Sequence, residues 1–315
     1  MGASEGRRAR TRHRVEYALF RLAAGCAGLL PGRWIQGLGA VAGLLAGGVL
    51  RIRRRVTREN LERVFPERSP AWRARVARES YRHLGRTAAT TFRLARLTPA
   101  EIRARSRVEG WELLADPVAR GEGAILVTGH IGNWEAGGGA LACRGLPLDV
   151  VVRPQNNPLF DRALVRARRR LGMNVVSRDD PAHLLLRSLR RGRVVVLVAD
   201  QNAHAGGLMM DFFGEPASTA RGAALLSLRS GAPLVLGVAL HHPAAPVPHH
   251  LVLEPVSISP SGVPARDVEA LTRAHVSALE RWVRRYPGQY LWQHRRWPRT
   301  QAAGRAPEPS PRGQV

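Results

Sequence analysis

Hydrophobic and polar positions change period several times along the chain, and each change marks an element. Residues 124–128, Ala-Ile-Leu-Val-Thr, are an apolar run rich in β-branched side chains. That is the pattern of a buried strand. Gly129 and Gly132 break the run, and residues 133–143 read as a helix that ends at Gly145. The expected order there is strand, tight turn, helix N-terminus. Downstream the alternation repeats, with strands over 148–152, 174–176, 194–199, 233–240 and 251–256 and helices over 158–171, 181–191, 219–230 and 264–286. In the last helix Val268, Leu271, Val276, Leu279 and Val283 recur at helical spacing. Strands alternating with helices predict an α/β fold, with a mostly parallel or mixed central sheet flanked by helices. No internal repeat is visible.

Upstream of this alternation the pattern is helical. Ser69-Pro70 supplies an N-cap and a proline at the first helical position. Trp72, Val76, Leu84, Ala88 and Phe92 then recur at multiples of four, which predicts one apolar stripe. Arg73, Arg75, Arg78, Arg82, Arg86 and Arg93 occupy the other faces, either as a solvated surface or as a surface for a membrane or partner. Nearer the N-terminus, Arg7, Arg8, Arg10, Arg12 and Arg14 precede an apolar piece at 17–30 that contains Arg21. Pro31-Gly-Arg33 interrupts it. Residues 35–50 are apolar and glycine-rich with only Gln36 polar, and Arg51, Arg53, Arg54 and Arg55 follow. Neither piece reaches the roughly 20 residues of a spanning helix. A monotopic or re-entrant apolar helical hairpin, with arginines on anionic headgroups, is the expected arrangement. An ordinary buried hairpin or one membrane helix are the alternatives. No clear cleavage site follows, so a signal peptide is not expected. The chain divides into a basic membrane-associating segment (1–58), a catalytic domain (59–298) and a Pro-, Gly- and Arg-rich tail (299–315) expected to be disordered.

Charge narrows the partners. The 315 residues carry 49 basic and 24 acidic side chains, a formal net charge of +25, and every basic residue is arginine. Schiff-base lysine chemistry and a P-loop are therefore excluded. Such a balance calls for an anionic partner, whether membrane, acidic protein or nucleic acid. Nucleic acid is the weaker choice, since aromatics are only 5% and no DNA- or RNA-binding module is apparent. Cys26 and Cys143 form no disulfide framework or zinc pattern, which fits a reducing compartment. His241-His242 and His249-His250 bracket a proline-rich turn and read as loop histidines before metal ligands. The one Gly-x-Ser-x-Gly, at 2–6, has no preceding strand and lacks the setting of a nucleophile elbow.

The candidate chemistry lies where the first strong strand ends. In open α/β sheets ligands bind at that edge. His130 follows the strand and Glu135 falls in the first helical turn, so the two can face each other as a general base and its orienter. A structural histidine beside a helix-start carboxylate is the plainer alternative. No serine is adjacent, so the hydroxyl to be activated would come from a substrate.

The segment His130-Ile-Gly-Asn-Trp-Glu135, an instance of His-x4-Asp/Glu, resembles the motif of glycerolipid and lipid A acyltransferases. Val151-Val-Arg-Pro-Gln-Asn-Asn-Pro158, Ala199-Asp-Gln201 and Phe212-Phe-Gly-Glu-Pro-Ala217, in that order, are similar to the lipid A late-acyltransferase branch (lauroyl and myristoyl transferases) and its phosphatidylinositol mannoside relatives. The Glu-Gly-Thr-Arg motif of lysophosphatidic acid acyltransferases is absent. The resemblance implies a glycerolipid acyltransferase-like fold at the cytoplasmic face of a bacterial inner membrane. It also implies acyl transfer from acyl carrier protein or coenzyme A to a glycolipid hydroxyl, with no metal or redox cofactor. A phosphatidylinositol mannoside or lysophospholipid acceptor is the alternative. Arg153, directly after a strand, either binds an acceptor phosphate or counters charge on the intermediate, or is a surface arginine capping that strand. Asn156 and Asn157 are contacts in the same loop or turn residues before Pro158. Asp200, followed by Gln201, ends the strand most like that of His130 and either organises the site or starts a turn. Glu215 lies in Phe-Phe-Gly-Glu-Pro, whose aromatics line an acyl pocket or fill core. Arg162, Arg166, Arg169 and Arg170 lie mostly on one face of the helix after Pro158, which is either a docking face for an acidic acyl donor or a solvated or lipid-headgroup surface.

Overall fold

The protein is described here from a computed structural model, which covers residues 11–18, 21, 25, 30–94 and 96–297. Its strands are β1 (Ser106–Glu109), β2 (Ala124–Gly132), β3 (Leu148–Val152), β4 (Asn174–Ser177), β5 (Val194–Val198), β6 (Leu208–Phe212), β7 (Glu215–Thr219), β8 (Leu234–His241) and β9 (His249–Val256). Its helices are α1 (Gly32–Gly48), α2 (Arg54–Val64), α3 (Pro70–Leu94), α4 (Pro99–Ala104), α5 (Glu112–Ala119), α6 (Trp134–Ala142), α7 (Pro158–Arg170), α8 (Ala182–Leu189), α9 (Gly222–Ser230) and α10 (Pro264–Arg285). Seven strands form one sheet in the order β1-β9-β8-β2-β5-β3-β4. From β8 to β4 all neighbours are parallel, while the β8–β9 hairpin is antiparallel and β1 joins β9 in parallel. The sheet is therefore mixed but mostly parallel, as the alternating pattern predicts.

Burial on both faces explains why the central strands read as unbroken apolar runs. Ile125, Val127, Val195 and Leu236 pack with Val276, Leu279 and Val283 of α10 on one face. Ala124, Leu126, Val194 and Val196 pack with Ala136 and Leu141 of α6 and Leu114 of α5 on the other. Each valine, leucine or isoleucine among them contributes about 1.5–3 kcal/mol by leaving water.

Several elements differ from the sequence expectation, each for a local reason. β2 does not stop at Thr128 but shifts register between Thr128 and Gly132 and continues, so His130 lies within the strand. Gly132 takes φ +63, and a Cβ there would meet the Ala239 carbonyl oxygen at 1.8 Å, so only glycine fits. Residues 208–219 form the β6–β7 hairpin, turned at Phe213 and Gly214 with φ of 58 and 80, and the following helix starts only at Gly222. β1 and α5 are short elements that the pattern did not mark. His241 and His249 are not loop residues: they pair across the ends of β8 and β9.

The expected stripe on α3 is also displaced. Ala88 is exposed, whereas Ser80, His83, Thr87 and Thr90 are buried. The polar side chains are buried because they have partners: Ser80 Oγ donates to the Tyr290 carbonyl at 2.7 Å and His83 Nε2 lies 2.8 Å from the Gly132 carbonyl. Asn60 of α2 likewise donates to the carbonyls of Trp292 and His294 at 2.8 and 2.7 Å. Residues 287–297 are thus held as a strap across the end of the sheet.

α1 is the second arm of the expected apolar hairpin, and most of the first arm, residues 17–30, lies outside the described residues. α1 packs on α3 through small residues. A Cβ on Gly43 would meet the Tyr81 carbonyl oxygen at 1.9 Å, and one on Gly85 would meet that of Gly39 at 1.9 Å. The opposite face of α1 carries Trp34, Leu38, Val41 and Leu45, each at least 50% exposed. Among the described residues no helix is long and apolar enough to cross a membrane. Cys26, the pattern at 2–6 and the tail at 299–315 are outside the described residues.

Candidate active site

The carboxyl ends of β2, β5 and β3 lie side by side at one edge of the sheet. β2 and β5 pair residue for residue, ending with Thr128 opposite Val198. Two residues further on, His130 therefore meets Asp200. His130 Nδ1 is 2.7 Å from Asp200 Oδ1, and the His130 backbone N–H donates to Asp200 Oδ2 at 2.7 Å. The carboxylate is almost fully buried (2% exposed) while the imidazole keeps 18% of its surface. Gln201 Nε2 lies 3.4 Å from His130 Nε2, and the Trp134 ring meets the imidazole edge to face at 4.9 Å.

The electrostatics follow from that contact. Burial disfavours the imidazolium, but the Asp200 charge, its hydrogen bond and the nearby Glu135 outweigh it, so the His130 pKa is raised. Burial pushes the Asp200 carboxyl up, yet His130 and then Arg296 outweigh it and hold its pKa below the usual carboxylate range. An ionised Asp200 requires a proton on Nδ1 and leaves the Nε2 lone pair as the acceptor. Tyr290, buried beside Asp200, has its hydroxyl pKa pushed well up by burial first and by that carboxylate second. The strap fixes the backbone as well, since Leu291 N–H donates to the His130 carbonyl at 3.0 Å.

Glu135 is not the carboxylate that orients His130. It accepts a bidentate pair from Arg168 of α7, with Nε to Oε2 at 3.1 Å and a second bond from Nη2 to Oε1. Both side chains are 15% exposed. The reason is local. β2 runs on to Gly132, and Asn133 caps α6 by accepting from the Ala136 N–H at 3.0 Å. Glu135 then falls on the side of α6 that meets α7, whereas the imidazole edge meets β5. Glu135 still adds to the field on His130.

The other expected residues separate into groups. Asp200 and Gln201 join His130. Arg153 and Asn156 are exposed in the loop after β3, on the same edge of the sheet. Asn157 is a helix cap, its Oδ1 accepting from Leu159 N–H at 3.1 Å, and its amide also donates to the His13 carbonyl and Glu16, both at 3.0 Å. Glu215 pairs with Arg63 of α2 at 3.2 Å on the β6–β7 hairpin and is not gathered around His130. Its neighbours Phe212 and Phe213 are 1% and 7% exposed; Phe213 packs with Phe65 and Trp292, and Phe212 with Tyr290 and Trp297, so these aromatics fill core. Arg162, Arg166, Arg169 and Arg170 are all on α7, and Arg166 Nη2 reaches the Tyr17 hydroxyl at 3.4 Å. Arg168, Tyr290, Leu291 and Arg296 are the site's neighbours that sequence reasoning did not single out. For Arg168 a signal existed: it lies off the helical face shared by 162, 166 and 169. Among the described residues no group of three His, Cys, Asp or Glu side chains could hold a metal.

A buried aspartate holding one nitrogen of a partly open histidine, at the carboxyl edge of an α/β sheet, is an arrangement that can carry general acid–base chemistry. The chain belongs to the bacterial lipid A biosynthesis acyltransferase family, whose sequence model matches residues 6–299. It is 28% identical over 263 residues to the lipid A biosynthesis palmitoleoyltransferase of Escherichia coli (strain K12), covering 82% of this chain and 83% of that one. It is 29% identical over 271 residues to the lauroyltransferase of the same organism, covering 85% and 86%. A phosphatidylinositol mannoside acyltransferase of Mycobacterium tuberculosis (strain CDC 1551 / Oshkosh) is 34% identical over 188 residues, covering 56% and 58%. The protein is therefore an acyltransferase.

Proposed function

We propose that this acyltransferase moves a fatty acyl group from an acyl thioester, carried by acyl carrier protein or coenzyme A, to a hydroxyl of a lipid A-type glycolipid precursor. The observation that carries the reading is the His130–Asp200 contact, which leaves Nε2 as the acceptor at the edge of the sheet. His130 takes the proton of the acceptor hydroxyl as that oxygen attacks the thioester carbonyl. The tetrahedral oxyanion collapses, the carbon–sulfur bond breaks, and the proton passes from His130 to the leaving thiolate. Asp200 holds the tautomer and stabilises the imidazolium. The Glu135–Arg168 pair fixes α6 against α7 and adds negative potential. The Asn133 N–H is committed to the Ala239 carbonyl at 2.6 Å and the Ala136 N–H to the Asn133 cap at 3.0 Å, so the Trp134 and Glu135 N–H groups, or Arg153, are the candidate donors for the oxyanion. Protons and electron pairs balance without a metal or redox cofactor.

Membrane attachment belongs to the same proposal. The exposed apolar stripe of α1 lies in the interface of an anionic bilayer, with Arg33 before it and Arg51, Arg53 and Arg54 after it. On this reading the enzyme works at the cytoplasmic face of the inner membrane. The arginines of α7 that lie off the Glu135 side receive the acyl donor. Matches over 82% and 85% of the chain to lipid A enzymes, against 56% to a phosphatidylinositol mannoside enzyme, favour the lipid A-type acceptor, and the acyltransferase family disfavours a non-enzymatic nucleic-acid-binding role.

The test is His130→Ala in the full chain. Acyl transfer should fall about 10²–10⁴-fold, with the circular dichroism spectrum and vesicle binding retained. Near-normal turnover would sink the mechanism. Mass spectrometry of lipids from a deletion strain identifies the acceptor by which glycolipid loses an acyl chain.

A further inference from the structure

One cavity is not used by the chemistry above. It has a volume of about 480 Å³ and lies between the start of α1, the end of α3 and the β8–β9 turn. β8 is the neighbour of β2 on the side away from β5, and Gly132 pairs with Ala239, two residues before His241. The cavity therefore sits at the same edge of the sheet as His130, on the flank opposite β3 and α7.

Its lining is cationic. Arg33, Arg93 and Arg105 contribute guanidinium groups, His241 and His249 contribute imidazoles, and no carboxylate is among the described lining residues. A carboxylate close by, Glu101, is committed to capping α4, where it accepts from the Thr98 N–H at 2.8 Å and hydroxyl at 2.9 Å. The first turn of α1 forms another wall, and Pro31 gives it no side-chain cap. The positive end of that helix dipole is thus at the cavity.

Several buried polar atoms there have no hydrogen-bond partner among the described residues. They are His241 Nδ1, His249 Nδ1, Arg93 Nη1 and Gln36 Oε1. His241 is only 3% exposed, so its missing partner is not bulk water. Leaving such groups unpaired forfeits the hydrogen bonds they made with water in the unfolded chain. A ligand that supplies acceptors satisfies most of them together. Burial and the adjacent His249 push the His241 pKa down to about 3, so the imidazole is neutral, and in its Nδ1–H tautomer it can donate to such an acceptor.

Apart from Gln36, Thr90 and Ser106, the rest of the lining is apolar, including Ile35, Leu97, Ile102 and Pro246. Ile35 also lies one residue from Trp34, the start of the exposed stripe of α1. A small inorganic anion would leave that surface unfilled. An anion joined to a hydrophobic body at a membrane surface would fill both parts.

The geometry points to this cavity as the subsite for a phosphate ester on the lipid acceptor, held by Arg93 and Arg105 with His241, so that the acceptor enters on the β8 flank while the thioester donor enters on the α7 flank. Guanidinium forks match phosphate oxygens in pairs, which is the recognition an all-arginine protein has available. This assignment rests on the acyltransferase reading for the identity of the ligand, but not for the existence of the site.

The experiment uses the full-length protein in detergent and titrates it calorimetrically with n-octyl phosphate, inorganic phosphate and n-octyl β-glucoside. Octyl phosphate should bind, inorganic phosphate should bind at least tenfold more weakly, and the neutral glucoside should not bind. Arg93→Gln and Arg105→Gln should each weaken octyl phosphate at least tenfold. Gln36→Glu puts a like charge beside the ligand at nearly constant volume and should do the same, and thermal melts check that all three are folded. In steady-state assays with a phosphorylated glucosamine-disaccharide lipid as acceptor, octyl phosphate should raise the acceptor KM and leave the donor KM unchanged. No binding, binding unaltered in the three variants, or competition with the donor instead of the acceptor overturns the assignment. If the wild type transfers no acyl group, the acyltransferase reading fails, and the calorimetry still decides whether the cavity takes a phosphate ester.

Discussion

Replacing Asp200 with asparagine tests the site at its most buried point. The aspartate carboxylate accepts two N–H groups of one residue, the Nδ1–H and the backbone N–H of His130, each at 2.7 Å. Asparagine has nearly the same shape but only one acceptor oxygen. If that oxygen keeps the backbone N–H, the amide NH₂ faces Nδ1 and forces it to become the acceptor. The proton then moves to Nε2, the atom that must receive the hydroxyl proton. Loss of the correct tautomer in a comparable triad costs about 10⁴ in rate; a fall of about 10³–10⁴ is expected here, equivalent to about 4–5 kcal/mol of barrier. The pH profile adds a readout that simple misfolding would not give. The wild-type His130 pKa is raised, and the base must be neutral. Activity of the wild type should thus climb through a limb above the ordinary imidazole value of about 6.5. Without the Asp200 charge, burial dominates and the limb of the residual activity should move to lower pH. Glu135→Gln removes the smallest cause of the shift and should move the limb less. The assay is kcat/KM across the neutral range, on both sides of the imidazole value, with one acyl donor. An Asp200→Asn enzyme with near-normal rate and an unmoved limb, or a larger shift from Glu135→Gln, would refute the assignment of Asp200 as the group that positions His130.

Three further outcomes are expected. Gly85→Leu places a Cβ 1.9 Å from the Gly39 carbonyl oxygen, so it should separate α1 from α3 and lower stability by about 1–3 kcal/mol, read as a drop in Tm, whereas Gly37→Leu, with open space around it, should leave Tm nearly unchanged. Leu38→Asp with Leu45→Asp, both on the exposed stripe of α1, should cut partitioning into anionic vesicles at least tenfold while Tm is retained; unchanged sedimentation with vesicles would remove α1 from the membrane contact. Arg166→Glu with Arg169→Glu on α7 should lower kcat/KM for the acyl carrier protein donor steeply and flatten its salt dependence, with a smaller loss for the coenzyme A donor; an equal loss, or none, would remove this helix from donor docking.

The parts of the fold that could be read from sequence are those with a local cause. β3, β5 and α10 begin and end within a residue or two of the apolar pattern, because their periodicity and their flanking Gly and Pro residues are local signals. The β6–β7 hairpin was not legible. Its turn uses Phe213 at positive φ, a residue type that carries no turn signal, and it is held from outside by Glu280, which accepts the Phe213 N–H at 2.7 Å. The stripe on α3 was misplaced for a similar reason. Ser80 and His83 are buried because a strap distant in sequence, for Ser80, and Gly132, for His83, supply hydrogen-bond partners, and periodicity scores such residues as polar.

The misassignment of the carboxylate has the most instructive cause. A reading along the chain sees Glu135 five residues from His130 and not Asp200, which is 70 residues away. What joins 130 to 200 is the pairing of β2 with β5, a non-sequential neighbour, in a register that sets Thr128 opposite Val198. Two strongly apolar strands that each end in a titratable residue were visible in the sequence, and in a parallel sheet their carboxyl ends share an edge. Only their adjacency was missing. The same topology gives Glu135 its own place. Because α6 follows β2 and α7 follows β3, the carboxylate and Arg168 meet between those helices, on the flank where the other arginines of α7 also lie. The motif spacing therefore encodes two different contacts: its histidine is held by the neighbouring strand, and its glutamate ties the catalytic turn to the helix proposed to receive the donor. Loss of either contact should be separable in kinetics, the first in the pH limb and the second in the donor KM.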